Sequence, residues 1–366
     1  MNKLDEADVR IAVRALLGDP DALPGAWTTA GVDWRVVSDV TDALVRVQGR
    51  AWTRGRDAAW SMVVKTARPD AHDPVDPSWE REWRAYTSGL LRPTAHVRPA
   101  RLLHVTRPSA DRVLLWLEDV PDPTPEVWPP SRHVLTARHL GEWGAARRLR
   151  GEAPAWSWRV WMDGLCAPPG EDDVSRADCV WRAPLVREVL GNEARALLNA
   201  VAGAGERWER RLRALPPTLV HLDPVRSNVR AVSDRETVLL DWQALGVGPP
   251  GADPAMATVL NVCRFHADPD GAGDLARESV EAYLAGIAET GVPLDGDDVR
   301  FAFAALTALR TAVILRAVLG RLSASEPDLR LWSTWGEKRD WSGEEALRRW
   351  GPGMVTLLRL GVEGAS

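Results

Sequence analysis

Lysine is nearly missing from this 366-residue sequence. Of its 46 basic residues only Lys3, Lys65 and Lys338 are lysine, and the other 43 are arginine. The skew reads as the codon usage of a GC-rich genome and carries no function by itself, but it singles out each lysine that was kept. Cysteine is as scarce. Cys166, Cys179 and Cys263 are too few and too scattered for a disulfide framework or a zinc site. A reducing, cytoplasmic compartment is therefore expected. No excess of positive charge exists either: 51 acidic residues leave a formal net charge of -5. That balance excludes a nucleic-acid binder that works by neutralising phosphates. Long uncharged apolar runs are also lacking. The most apolar stretch, Phe301–Leu322, contains Arg310 and Arg316, so it is expected as a buried helix and not as a membrane span. The opening MNKLDEADVRIAVRALLG has no apolar region of a signal peptide.

What is present is ordinary for a folded chain. Hydrophobic residues make up 45% and charged residues 27%, which argues against wholesale disorder. The length suggests two domains or lobes, each able to bury a core. Tryptophan stands out, with 19 residues against 2 tyrosines and 3 phenylalanines.

After an amphipathic N-terminal helix and turns come three short strand-like runs, Trp34–Ser38, Ala43–Arg50 and Ser61–Thr66. Their β-branched residues and polar turns suggest an antiparallel meander. Asp76-Pro77 is a good helix start, and Trp79, Trp83, Tyr86 and Leu90 form one stripe behind it. Two further strand-like runs, Leu102–Thr106 and Arg112–Leu117, precede the proline-rich VPDPTPEVWPP, which reads as a linker. Beyond it the pattern is helical, with amphipathic segments at Leu135–Arg150 and Asn192–Leu212. The expected domains are 1–119 and 120–366.

The informative stretch is LVHLDPVRSNVRAVSDRETVLLDWQALGVGPPGADPA, from Leu219 to Ala255. Val229–Val232 and Thr237–Leu240 read as a hairpin around the turn Ser233–Glu236. Pairing Val232 with Thr237 sets residue 228 opposite residue 241. Asn228 and Asp241 then offer two hard oxygen ligands at the open end of the hairpin, a half-shell for Mg2+. Asp223, on the loop before Asn228, is placed to accept a proton. Turn chemistry is the competing reading of the same three residues.

His221-Leu222-Asp223 followed by Asn228 resembles the catalytic loop of eukaryotic-type kinases. It is most similar to that of the aminoglycoside phosphotransferase and choline kinase-like family. Leu239-Leu240-Asp241-Trp242, Gly246-Val247-Gly248 and Asp253-Pro254-Ala255 also follow that family's pattern. One residue departs from it: Leu222 stands where the family has glycine.

The resemblance implies a bilobal, protein-kinase-like α+β fold. Its N-lobe is a small antiparallel sheet with one helix, and its C-lobe is larger and mostly α-helical. It implies phosphoryl transfer from ATP or GTP with Mg2+, with Asp223 as the base and Asn228 and Asp241 as metal ligands. Lys65, one of the three lysines, ends the run WSMVVKT and would hold the phosphates. Its partner is Glu82 or Glu80, and the Glu82-x-x-x-Tyr86 pattern favours Glu82. Ser38 and Thr41 fall where the phosphate loop belongs, and a plain polar turn is the alternative. Glu118 and Val120 would meet the purine through backbone groups, with Trp116 in the core. Asp253 would brace the catalytic loop.

The acceptor is expected to be a hydroxylated small molecule, with no nucleic-acid or membrane partner, acted on by a monomer or homodimer. An antibiotic-like acceptor and a resistance role are one expectation, with Trp156, Trp158 and Trp161 as an aromatic wall. Helix packing is the competing reading of those three. A metabolic kinase of choline, a sugar or an amino alcohol is the alternative function, and a catalytically dead module a third.

Overall fold

The computed structural model describes residues 4–32, 40–70, 78–149, 151–170 and 172–366. The chain divides into two compact units. The first comprises Met1–Pro93, Arg98–Asp122 and Val238–Leu245, and the second Thr94–Val97, Pro123–Thr237 and Gly246–Ser366. The expected run Trp34–Ser38 and the helix start Asp76-Pro77 lie outside the described residues.

In the first unit, helix α1 (Glu6–Leu17) precedes strands β1 (Leu23–Gly31), β2 (Thr41–Thr53) and β3 (Arg56–Ala67). Helix α2 (Ser78–Thr87) and strands β5 (Leu102–Ser109) and β6 (Arg112–Glu118) follow, and strand β4 (Val97–Pro99) precedes β5 in the chain. Five of these strands form an antiparallel sheet in the order β1-β2-β3-β6-β5. The sheet separates two apolar clusters. Val47, Trp60, Met62, Val64 and Trp116 face Val9, Ala12 and Val13 of α1. Ala67, Val113, Leu115 and Leu117 face Trp79 of α2. Strand alternation accounts for this division, because successive side chains of β3 point to opposite faces. Trp116 is wholly buried, as expected of a core residue, and its Nε1 donates to Thr106 Oγ1 at 3.1 Å. Strand β1 lies in a segment expected to be turns. Pro24, Gly25 and Gly31 disguise it, and the register shifts between Pro24 and Trp27. Such residues are tolerated because β1 is an edge strand.

The second unit is dominated by helices. These are α3 (Pro130–Ala146), α4 (Trp161–Cys166), α5 (Asp178–Arg182), α6 (Pro184–Val189) and α7 (Gly191–Ala214), then α8 (Ala252–Cys263), α9 (Ala272–Glu289), α10 (Gly296–Leu322), α11 (Arg330–Gly336) and α12 (Gly343–Ala365). The expected segments Leu135–Arg150 and Asn192–Leu212 correspond to α3 and α7. Short strands β7 (Thr218–Val220) and β10 (Gly246–Gly248) pair antiparallel. Strands β8 (Val229–Ser233) and β9 (Glu236–Leu239) are neighbours in a sheet of order β4-β9-β8, as the hairpin reading requires. The sequence order of a small antiparallel sheet with one helix, then helices, is the α+β order that the resemblance implied.

Helix α10 is long and apolar enough to cross a membrane, yet it is mostly buried inside its unit. Its Phe301, Leu306, Leu309 and Leu319 belong to the core. Helices α3 and α9 approach so closely that a Cβ on Gly141 would collide with the Tyr283 carbonyl, and one on Gly286 with the Arg138 carbonyl. Backbone cannot step aside as a flexible side chain can. Gly286→Ala is therefore expected to destabilise the protein by about 2 kcal/mol or more, read as a lower midpoint in urea unfolding. Gly203→Ala on α7, where a Cβ meets open space, is the control and should not lower it.

Candidate functional site

The first unit assembles a buried charge cluster from three separate stretches. Strand β3 lies between β2 and β6, and Lys65 is paired with Leu44 and Leu115. Its side chain turns away from the face of Val64, which packs under α1, and is only 8% exposed. The amine lies 2.6 Å from Glu82 Oε2 and 2.8 Å from Asp241 Oδ1. Glu82 thus proves to be the helix partner. Glu80 turns instead to Arg84 and Arg107.

Glu82 has a second task. Its Oε1 accepts from the backbone N–H of Trp242 at 3.2 Å. The neighbouring Arg81 donates from Nη1 to the Gln243 carbonyl at 2.6 Å. Helix α2 therefore fixes both the lysine and the segment carrying Asp241. Asp241 itself has φ 58° and ψ 73°, a left-handed conformation uncommon for a residue with a side chain. Trp242, wholly buried, anchors the position after it.

Burial alone would pull the Lys65 pKa down, but Asp241 and Glu82 more than offset it and hold the amine above its ordinary value. Burial raises the pKa of Glu82; Lys65 opposes that shift, and the like charge of Asp241 adds to it. One ammonium between two carboxylates leaves the ionised cluster with a net negative charge.

The remaining first-unit candidates occupy the sheet and its exit. Thr41 begins β2 opposite Ala67 and is half-buried. Ser38 lies outside the described residues. Glu118 ends β6 and accepts from Arg98 at 2.7 and 3.1 Å. Burial opposes ionisation of its carboxyl, but Arg98 and the Arg101 N–H hold it below the usual value. Val120 is buried. Between them Asp119 accepts from Arg46 Nε at 2.7 Å and from Ser61 Oγ at 2.6 Å, a link across the sheet that the sequence did not suggest.

The second unit holds the loop that follows β7. Asp253, at the start of α8, accepts from the backbone N–H of His221 at 3.1 Å and of Leu222 at 2.9 Å. The expected brace is therefore present. Leu222 sits at φ 65°, which explains why a glycine suits this position and what the leucine costs. A second brace was not foreseen. Asn261, two turns further along α8, accepts at Oδ1 from the Arg226 N–H at 2.8 Å. The Arg226 guanidinium donates to the Val229 and Pro125 carbonyls and stacks over Trp128 at 4.6 Å. A polar residue within the apolar run MATVLNVC, and an arginine inside a buried loop, were the available signals.

These braces bring Asp223 and Asn228 together. Asn228 Nδ2 donates to Asp223 Oδ2 at 2.7 Å and to the Asp223 carbonyl at 3.0 Å. This fixes the amide so that Asn228 Oδ1 is buried with no hydrogen-bond donor among the described residues. A buried unsatisfied oxygen is costly, and a hard cation would relieve it.

The tryptophan wall needs correction at one position. Trp161 is buried, its Nε1 donates to the Val247 carbonyl at 2.7 Å, and its ring closes over Gly246 and Gly248. A Cβ on Gly248 would lie 2.6 Å from the Trp161 ring, so those glycines make room for the indole. Trp161 therefore packs and offers no face to a ligand. Trp156 is half-buried, and Trp158 is 38% exposed and bridges to Gly246 outside any helix.

No family model matches the chain, and no curated protein matches its sequence. Solved structures align with the chain at low identity. An amicoumacin kinase in complex with AMP-PNP and Ca2+ aligns at 12% identity over 93% of this chain and 95% of its own, with a TM-score of 0.49. An aminoglycoside phosphotransferase from Streptomyces rimosus gives 19%, 84%, 99% and 0.41 in the same order. A choline kinase from Streptococcus pneumoniae gives 13%, 98%, 98% and 0.44. Identities and scores this low leave the chemistry to be read from this chain's own residues.

Asp253 supplies a pH test. Burial lifts its carboxyl from 3.8 to about 6, against the pull of the two N–H donors. Between those values the folded protein holds a proton that the unfolded chain has released. Stability therefore falls as pH rises through that interval, by up to about 3 kcal/mol from this group. Asp253→Asn removes the effect. The stability of the wild type relative to that variant, measured by urea unfolding, should drop between pH 4 and pH 7. A constant difference would contradict the assignment.

Proposed function

We propose that this protein is a small-molecule phosphotransferase that moves the terminal phosphate of ATP or GTP to a hydroxyl group. The observation that carries the reading is the Lys65 amine, buried between Glu82 and Asp241. A compact ammonium suits phosphate oxygens, and it was retained in a chain that otherwise uses arginine. The second unit contributes Asp223 and Asn228, in the order and spacing of a phosphoryl-transfer loop.

In this reading Lys65, oriented by Glu82, binds the phosphates of the nucleotide. Asp223 accepts the hydroxyl proton as the acceptor oxygen bonds to phosphorus and the bond to the leaving diphosphate breaks. Asn228 Oδ1 and the Asp241 carboxylate are the residues that would hold Mg2+. The unsatisfied amide oxygen and the net negative charge around Lys65 both fit such a cation. When bound, the ion neutralises phosphate charge. Thr41 and Ser38 are the candidates for phosphate contact, and Glu118 and Val120 for the base.

The acceptor is a hydroxylated small molecule. The exposed Trp158 and half-buried Trp156 support a ring-bearing, antibiotic-like compound, with resistance as the biological role. The cysteines, none disulfide-bonded, and the acidic balance support a cytoplasmic enzyme, monomeric or homodimeric, acting on neither nucleic acid nor membrane.

Three outcomes test this. Incubation with γ-labelled ATP or GTP, Mg2+ and a panel of hydroxylated antibiotics and metabolites should yield a product heavier by one phosphate. Asp223→Ala should abolish that transfer while nucleotide affinity stays nearly intact. Retained turnover in Asp223→Ala would sink the assignment. Lys65→Arg should keep the fold yet lower kcat/KM by about a hundredfold or more, because the longer guanidinium misplaces the charge.

A further inference from the structure

Leu222 is strained, buried and next in sequence to the proposed base. Its φ of 65° is a conformation that a side chain makes unfavourable, and such a residue persists only where its surroundings hold it. Asp253 accepts its backbone N–H at 2.9 Å, a contact that a glycine would make equally well. What the leucine adds is its side chain, which is only 7% exposed.

Gly246 marks where that side chain goes. A Cβ on Gly246 would lie 2.7 Å from Leu222 Cδ1, 2.8 Å from the Trp158 carbonyl oxygen and 3.2 Å from Trp161 Cδ1. Leu222 therefore packs where β10 meets the segment Trp158–Trp161. Polar contacts fasten the same junction. Trp158 bridges to Gly246, its carbonyl accepts from the Val247 N–H at 3.3 Å, and Trp161 Nε1 donates to the Val247 carbonyl at 2.7 Å. Strand β10 in turn pairs Gly246 with Val220, two residues before Leu222. The loop that bears Asp223 is thus packed, through Leu222, against that segment.

The segment also carries apolar groups open to solvent. Among the described residues of the second unit, three large apolar residues are exposed: Trp158 at 38%, Val160 at 60% and Val174 at 40%. Two of them stand two positions apart on the segment that Leu222 packs against. Apolar groups gathered at the surface beside a polar loop mark a place where a ligand buries its own apolar part.

We propose that Leu222 is a positioning residue for the acceptor: its side chain fixes Trp158 and Val160 relative to Asp223, and the acceptor is a hydroxylated compound whose apolar ring lies on those two residues. A glycine at this position would relax the backbone but leave a gap beneath the segment. A small amino alcohol has no ring to place there. Calling the ligand an acceptor rests on the phosphotransferase reading; the recognition of an apolar ring does not.

The test uses the full chain and two probes with the same sugar hydroxyls, methyl β-D-glucoside and phenyl β-D-glucoside, titrated by calorimetry. The phenyl compound should bind about tenfold more tightly. Trp158→Ala and Leu222→Gly should each remove most of that preference, and Leu222→Met, which conserves volume, should keep it. A cooperative urea transition shows that each variant is folded. A leucine that served stability alone would shift the urea midpoint and leave the preference unchanged. Equal affinity for the two glucosides, or binding of neither, overturns the ring site. A preference that survives in Leu222→Gly overturns the role of Leu222. A preference lost in Leu222→Gly, with no hydroxyl ever phosphorylated, supports the coupling and removes the transferase reading.

Discussion

The amine of Lys65 is held out of water by two carboxylates, and the first unit is organised around keeping it there. Removing an ammonium from solvent costs several kcal/mol, and opposite charges must repay it. Glu82 and Asp241 do so at 2.6 and 2.8 Å. Each carboxylate is itself fixed. Glu82 sits on a helix whose Trp79 is anchored in the sheet's apolar face and whose Arg81 grips the Gln243 carbonyl. Asp241 adopts a left-handed conformation, with the buried Trp242 beside it. A strand, a helix and a return segment of the chain thus converge on one charge. The pKa of Lys65 stays high enough that the amine remains an ammonium throughout the physiological range.

The second unit solves a different problem, that of holding a polar loop in an apolar setting. Asp253 and Asn261 accept the loop's backbone N–H groups from one helix, and Arg226 ties the loop to Val229 and Pro125. With the backbone thus satisfied, Asn228 can orient Asp223 and leave its own Oδ1 free. Both units therefore carry an incomplete charge arrangement. One is a negative cluster around Lys65, and the other is the Asn228 amide oxygen, buried with no hydrogen-bond donor among the described residues. Such unfinished electrostatics mark places where ligands contribute charge.

Much of this was legible in the sequence. Lysine scarcity pointed to Lys65, and the spacing from Asp223 to Asn228 to Asp241 pointed to the rest, because those features depend on residue type and short separations. The β-branched run Ser61–Thr66 and the helical periods behind it gave most of the elements. Helical periodicity alone left Glu80 and Glu82 nearly equivalent; the Glu82-x-x-x-Tyr86 pattern favoured Glu82, and the Lys65 amine lies 2.6 Å from it. Strand β1 was hidden by Pro24 and its glycines. Trp161 looked like a ligand wall because its partner glycines lie 85 and more residues away, at Gly246 and Gly248.

The account stands most directly on the coupling between Lys65 and Glu82, which a double-mutant cycle on nucleotide affinity measures. Lys65→Met, Glu82→Gln and the double variant would each be titrated with a nonhydrolysable ATP analogue in the presence of Mg2+. If Glu82 acts by holding the amine in place, the double variant binds no more weakly than Lys65→Met alone, a strongly non-additive result. Losses that simply add would show two independent residues and contradict the central claim.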